Sequence, residues 1–287
     1  MTTAKILTMA RVRHLANNME SFMRKQLPIH IGQKTFYLKN KIKNDIIFIG
    51  EFFYQLFYVC KTPSQLRWKD LWRLIETIGP NALPITALLG FLFGLILAFQ
   101  GIVPLRTFGA EIYVIRLVGI SLVRELAPLL TAIIIIARTA SAFAAELGTM
   151  KINREIDALT TMGILPMRFL ILPRVLAVMC IMPALTVYLA IFSLMGCYCV
   201  SLSLGFGFHI FINELYQSFT FVPILTSLFK SLVFGFIIAM VGCFYGLSAA
   251  RGPRAVGEST TKAVVTSIVI LTIVDGIFSI LIYIAGV

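Results

Sequence analysis

The sequence predicts an all-α polytopic membrane protein, with an N-terminal interfacial helix, five transmembrane helices, and a cytoplasmic coupling helix between the second and third spans. Three observations carry this. The chain is 59% hydrophobic and only 13% charged, against about 25% charged for a soluble domain, and its mean hydropathy is +0.91. A spanning helix needs about 20 predominantly apolar residues; charge-free or nearly charge-free stretches cover 77–105, 175–213, 215–250 and 263–287, and 124–150 adds one that carries charges. The Lys and Arg residues collect on alternate flanks of these stretches, as they do where cytoplasmic loops hold the positive excess.

The elements follow in chain order. Residues 1–45 read as a basic, weakly periodic extension. Lys5, Arg11, Arg13, Arg24 and Lys25 interrupt any signal-peptide core there, so the segment is expected to be retained. Residues 46–287 read as one membrane domain. It opens with IIFIGEFFYQLFYV at 46–59, too short to cross, with Glu51 and Gln55 at i and i+4, which fits a helix lying in the interface. Trp68 and Trp72 among Arg67, Lys69 and Arg73 read as an interfacial anchor. The spans are predicted at about 82–103, 116–143, 170–203, 222–248 and 260–285. GFLFG in the first span sets Gly90 and Gly94 four apart, a spacing that admits close helix approach within the chain or between copies. Gln100, Gly101 and Pro104 are expected to end that span.

Of the 25 Lys and Arg residues, 13 precede Thr77, which puts the N-terminus in the cytoplasm. Lys151, Arg154, Arg168 and Arg174, and later Arg251 and Arg254, fall on the same side; residues 204–222 carry no Lys or Arg and fall outside, as does the C-terminus. The formal charge of +12 follows these flanks. Attraction to anionic lipid explains it without nucleic acid. The cysteines at 60, 180, 197, 199 and 243 show no CxxC pair and no His at metal-ligand spacing, so they read as small packing residues, and His14, His30 and His209 suggest no metal site either.

The charges inside the spans are the strongest functional signal, because each costs about 2.5–3.5 kcal/mol on insertion scales and such residues face a bundle interior or a watery cavity. Arg124 and Glu125 lie beside Pro128, whose missing amide opens the backbone at the Arg124 carbonyl. A break plus a charged pair suggests a site; a buried pair that ties helices together is the alternative. Arg138, 14 residues on, returns to nearly the face of Arg124 and calls for a carboxylate partner such as Asp275. Lys262 and Asp275 share the last span, 13 residues apart, and cannot pair within one straight helix. Between the second and third spans, Ile152, Ile156, Leu159 and Met162 recur at helical spacing among Lys151, Arg154, Glu155 and Asp157. An amphipathic helix over 144–166, presented to the cytoplasm, is what a membrane subunit uses to take force from a soluble motor.

AELGTMKINREIDALTTMG at 145–163, followed by Leu172-Pro173-Arg174, resembles the signature of the MlaE/YrbE permease family, the membrane subunits of MCE-linked ABC lipid transporters. LVRELAPLL at 122–130, Gln100-Gly101 and VGESTTKAVVTSIVILTIVD at 256–275 extend the resemblance over about 80–287. It implies an MlaE-like permease domain, a second copy of the chain, a cytoplasmic ABC ATPase dimer, a ring of MCE-domain proteins on the periplasmic side and a STAS-domain accessory protein. The implied cargo is phospholipid, moved between a bacterial inner membrane and the outer envelope. No catalytic residue, metal or cofactor is expected in this chain; ATP would be bound by the partner subunit, since the sequence has no GxxxxGK[ST] phosphate loop.

Carried over by resemblance, Leu97, Leu105, Phe108, Arg124 and Glu125 would bind substrate, the last two at the mouth of a lipid cavity between the subunits. Glu146, Gly148, Met150 and Glu155 would couple to the ATPase. Lys262 stands where some relatives have Arg, keeping the charge without the bidentate fork. Two other classes fit the residues alone: a carrier run by an ion gradient through Glu125 and Asp275, or a membrane scaffold that transports nothing.

Overall fold

Backbone in hydrocarbon has no water to bond, so apolar stretches of this length close their hydrogen bonds internally as helices. A computed structural model describes residues 46–59, 61, 67–218, 221–250 and 252–284. The basic extension 1–45 and residue 285, the predicted end of the last span, lie outside the described residues. The elements are α1 (Ile46–Val59), α2 (Trp68–Arg106), α3 (Tyr113–Ile152), α4 (Glu155–Thr161), α5 (Met167–Ser203), α6 (Phe208–Ser218), α7 (Phe221–Leu247) and α8 (Pro253–Ile284). Five of them, α2, α3, α5, α7 and α8, are long and apolar enough to cross a membrane. The protein is an all-α, multi-pass membrane protein, as the hydropathy pattern predicts.

By contact density, α1 divides at Tyr54 between a unit that ends there and a second unit from Gln55 onward. In the first, Ile46, Ile47, Ile49, Phe53 and Tyr54 are exposed and Phe52 is buried. In the second, Phe57 and Tyr58 are exposed, whereas Gln55 and Val59 are buried. Gln55 therefore does not share the exposure of Glu51, and the outward residues of α1 are mainly Ile, Phe and Tyr.

Several predicted boundaries move. The first span is part of a 39-residue helix that starts at Trp68, about 58 Å long at 1.5 Å per residue. That exceeds the roughly 30 Å hydrocarbon thickness, so an end projects beyond it. The helix runs through Pro104 to Arg106 instead of stopping at Gln100. Pro104 removes the amide that would have bonded the Gln100 carbonyl, and only two further residues of helix follow it. Between the third and fourth spans, within the stretch that carries no Lys or Arg, α6 forms, and Arg116 of α3 ties it down by donating to Glu214 Oε2 at 2.5 Å and to the side-chain carbonyl of Gln217.

The bundle is built on close backbone approach. Ile78, Ala82, Thr86, Gly90, Gly94, Ala98 and Ile102 form a buried row at four-residue spacing on α2, the ridge that 4-4 helix packing uses. It faces α5. A Cβ built at Gly90 would lie 2.8 Å from the Leu189 carbonyl, one at Gly94 would overlap the Ser193 carbonyl, and one at Gly196 would overlap that of Phe91. GFLFG is thus an intrachain seam. Gly242 and Gly246 of α7 make a similar approach to Ala140 and Leu147 of α3. Cys197 and Cys243 are buried free thiols that fill such gaps, while Cys180 and Cys199 are exposed; Cys60 lies outside the described residues.

Candidate functional site

The charges of α3 sit where its backbone leaves α-geometry. Pro128 has no amide for the Arg124 carbonyl, and over Leu122–Leu126 the helix widens into a π-turn in which the Ala127 N–H bonds the Leu122 carbonyl. A second π-turn, Ile136–Ala140, surrounds Arg138, and the Ser141 hydroxyl donates to the Ala137 carbonyl at 2.6 Å. An extra residue in a turn re-aims the side chains around it, and such turns gather at functional positions.

Glu125 meets a residue that the sequence reading missed. Lys230, in the middle of α7, is fully buried, and its Nζ lies 2.7 Å from Glu125 Oε2 and 2.7 Å from Asp275 Oδ1. The first contact is a directed hydrogen bond. The second has ion-pair distance without hydrogen-bond alignment, so it acts as a charge contact. Ser279, one turn beyond Asp275 on α8, donates to Glu125 Oε1 and lies 3.0 Å from the Asp275 carbonyl. An ammonium taken out of water must be paired to be tolerated. Two carboxylates and a hydroxyl drawn from α3 and α8 do this, and three spans are thereby tied together.

In front of this cluster is an open pocket of about 500 Å³ lined by Ile120, Ser121, Arg124, Glu125, Leu126 and Ser279. Arg124 has no ion-pair partner among the described residues and faces this space. Lys230, engaged by both carboxylates, sits behind it. The pocket therefore offers a guanidinium, a carboxylate already bonded at both oxygens, and hydroxyls beside Ile and Leu. Such a surface suits an amphiphile with a charged head. Among the described residues no group of three His, Cys, Asp or Glu side chains could hold a metal.

The remaining predicted residues are dispersed. Asp275 belongs to Lys230, not to Arg138, whose buried Nη1 finds no hydrogen-bond partner among the described residues. Leu97 and Leu105 are half-buried against an intrachain cluster that includes Ala98, Ile102, Val114 and Val200, and Phe108 is 81% exposed. None of the three lines the Arg124 pocket. Lys262 is exposed beside Glu258, 4.0 Å away, about 20 Å of helix from Asp275.

The connection between the second and third spans is not one amphipathic helix over 144–166. α3 runs on to Ile152, Arg154 takes a left-handed conformation at φ 58°, and the separate α4 buries none of its residues. Glu146, Gly148 and Met150 therefore belong to the spanning helix, and only Glu155 of the four stands on the short helix. Glu146 pairs with Arg174 at 3.2 Å, so the two motif pieces at 145–163 and 172–174 meet. Gly148 packs against Ala249 and Val256. Lys151 Nζ donates to the Leu247 carbonyl at 2.5 Å, a cation at the C-terminal end of α7. These contacts brace α3, α5 and α7 together and leave α4 as the exposed feature.

Comparisons with known proteins agree with this architecture. The profile of the permease MlaE family matches residues 71–281. A probable ABC transporter permease protein of Synechocystis is 39% identical over 69% of this chain and 76% of its own length. One from Rickettsia typhi is 35% identical over 70% of this chain and 78% of its own. The chloroplastic protein TRIGALACTOSYLDIACYLGLYCEROL 1 of Arabidopsis thaliana is 31% identical over 75% of this chain and 62% of its own.

Proposed function

The chain belongs to the MlaE permease family, whose relatives here are named as ABC transporter permeases, and from that premise we propose that it carries phospholipid between a bacterial inner membrane and the outer envelope. One observation carries the lipid reading: the open pocket in which unpaired Arg124 stands beside Glu125 and apolar Ile120 and Leu126, backed by buried Lys230. The Arg124 guanidinium offers a fork to a headgroup phosphate. Acyl chains then start over Ile120 and Leu126; a wall of Leu97, Leu105 and Phe108 rests on the family resemblance alone. The relative named for a galactolipid supports a lipid cargo.

In this reading the N-terminus and the α4 connection face the cytoplasm and the C-terminus the periplasm, following the Lys and Arg distribution. A second copy completes the cavity. A separate ATPase dimer binds ATP and pushes on α4, with a STAS-domain protein as accessory, and an MCE ring meets the permease at the α6 end. The test of cargo is photocrosslinking from positions 120 and 126, with Ile133, 42% exposed, as the lipid-facing control. Labelling by photoreactive phospholipid that exceeds the control and falls when ATP is added with the ATPase is the expected result; labelling no stronger than at position 133 overturns the assignment.

The coupling assignment has its own test. Glu155 and Asp157 are exposed in the first turn of α4, so reversing both to Lys is expected to leave insertion intact and to cut ATPase copurification several-fold. Unchanged copurification with unchanged transport would move the contact elsewhere. Glu146 is the poorer probe, because reversing it sets two cations together at Arg174.

A further inference from the structure

A second basic pocket lies at the opposite end of the bundle from Arg124. It holds about 180 Å³ and is lined by Arg67, Gly163, Ile164, Leu165, Arg168 and Phe169. We propose that this pocket holds the headgroup of a resident anionic phospholipid of the cytoplasmic leaflet, separate from the transported one.

Several features support it. Both cations are held in place by aromatic rings, with the Arg67 guanidinium 4.5 Å from the Phe169 ring and that of Arg168 4.3 Å from the Tyr58 ring. Stacking on Phe169 fixes the plane of the Arg67 guanidinium without using up its N–H donors. Among the described residues Arg67 has a single carboxylate contact, Asp70 at 3.0 Å from Nη1, which leaves most of its five N–H groups to give. Among the described residues no carboxylate lines the pocket itself, and both charges that line it are positive. Beside it Leu165 and Met162 are 49% and 65% exposed, an apolar rim suited to the start of acyl chains. Finally, the site joins the foot of α2 to the start of α5, on the side where Lys151, Arg154, Arg168 and Arg174 collect. Basic pockets between spans on the cytoplasmic side are where anionic headgroups bind. Gly163, at φ 75° with nothing within 4 Å of a Cβ position, leaves the mouth unobstructed.

This pocket is not the transport site. From Arg124 to Ile152, the end of α3, is about 40 Å of helix. The proposal rests on the orientation given above and not on which lipid is transported.

The full-length chain, purified in detergent without nucleotide, is titrated with short-chain phosphatidylglycerol, with phosphatidylcholine and with inorganic phosphate, and bound lipid is counted by native mass spectrometry. Wild type is expected to retain one more phosphatidylglycerol than R67Q/R168Q, with phosphatidylcholine retention equal in the two. Equal phosphatidylglycerol retention overturns the proposal. So does displacement by millimolar inorganic phosphate, which would make the pocket a free-anion site. Should the double variant fold poorly, a photocrosslinker at Leu165 keeps both arginines: labelling by photoreactive phosphatidylglycerol should fall at least five-fold with unlabelled phosphatidylglycerol and not with phosphatidylcholine. Equal competition by the two overturns it. Scoring the permease alone leaves this result standing whatever becomes of the Arg124 assignment.

Discussion

Lys230→Ala is expected to remove most of the protein from the membrane fraction. The ammonium is fully buried between Glu125 and Asp275, 2.7 Å from each. Its loss leaves two carboxylates facing each other, of which Asp275 is only 14% exposed. Breaking a buried ion pair from one side costs about 3–5 kcal/mol, a large part of a typical stability of about 5–15 kcal/mol. Immunoblotting of membranes and the unfolding midpoint in detergent read this directly, and wild-type values for both would show that the cluster is not a structural tie.

The same cluster separates brace from site. Lys230→Met combined with Glu125→Gln and Asp275→Asn removes all three charges at similar volume, and such replacements are often neutral for stability. Protein level is therefore expected to recover. If the charges only hold α3, α7 and α8 together, transport per folded molecule recovers as well. If Glu125 must present a carboxylate to the pocket while Lys230 holds it in register, transport stays low. The second outcome is expected, because Glu125 alone of the three also lines the open pocket with Arg124.

This cluster also shows what the sequence made legible. Arg124, Glu125 and Asp275 were conspicuous because charge in an apolar run is expensive, and Pro128 marked the backbone irregularity that takes the form of a π-turn. Lys230 was passed over inside SLFKSLVFG, in a stretch taken as nearly free of charge. The signal was present: two intramembrane carboxylates require a cation, and Lys230 is the only Lys or Arg between Arg174 and Arg251. The partner of Asp275 was sought in Arg138 because helical periodicity places residues within one helix and says nothing about which helices adjoin. The long spans were readable because hydrocarbon allows little besides helix. The connection at 144–166 was not, because its apolar spacing continues through a left-handed residue at Arg154 that only the backbone reveals.

A similar ambiguity surrounded GFLFG, since GxxxG spacing serves a seam within a chain as well as one between chains. With the seam inside the chain, Gly94→Leu is expected to abolish folded protein, and Gly94→Ala to lower the unfolding midpoint already. The Cβ itself would overlap the Ser193 carbonyl, and no side-chain rotamer relieves a clash that begins at the first carbon. α5 would have to back away along the row from Gly90 to Ala98, where Gly196 makes the reciprocal approach to the Phe91 carbonyl. Overpacking costs about 1–3 kcal/mol even where side chains can adjust. Gly257→Ala is the control: it lies inside α8 with nothing within 4 Å of its Cβ position and no proline after it, and alanine favours a helix over glycine by about 1 kcal/mol. Its midpoint should hold or rise. A seam between two copies makes the opposite forecast, in which Gly94→Leu lowers the crosslinked dimer and leaves the monomer's unfolding midpoint where it was. The two measurements on one variant therefore decide where α2 spends its glycines, and the closeness of Ser193 predicts that the monomer fails first.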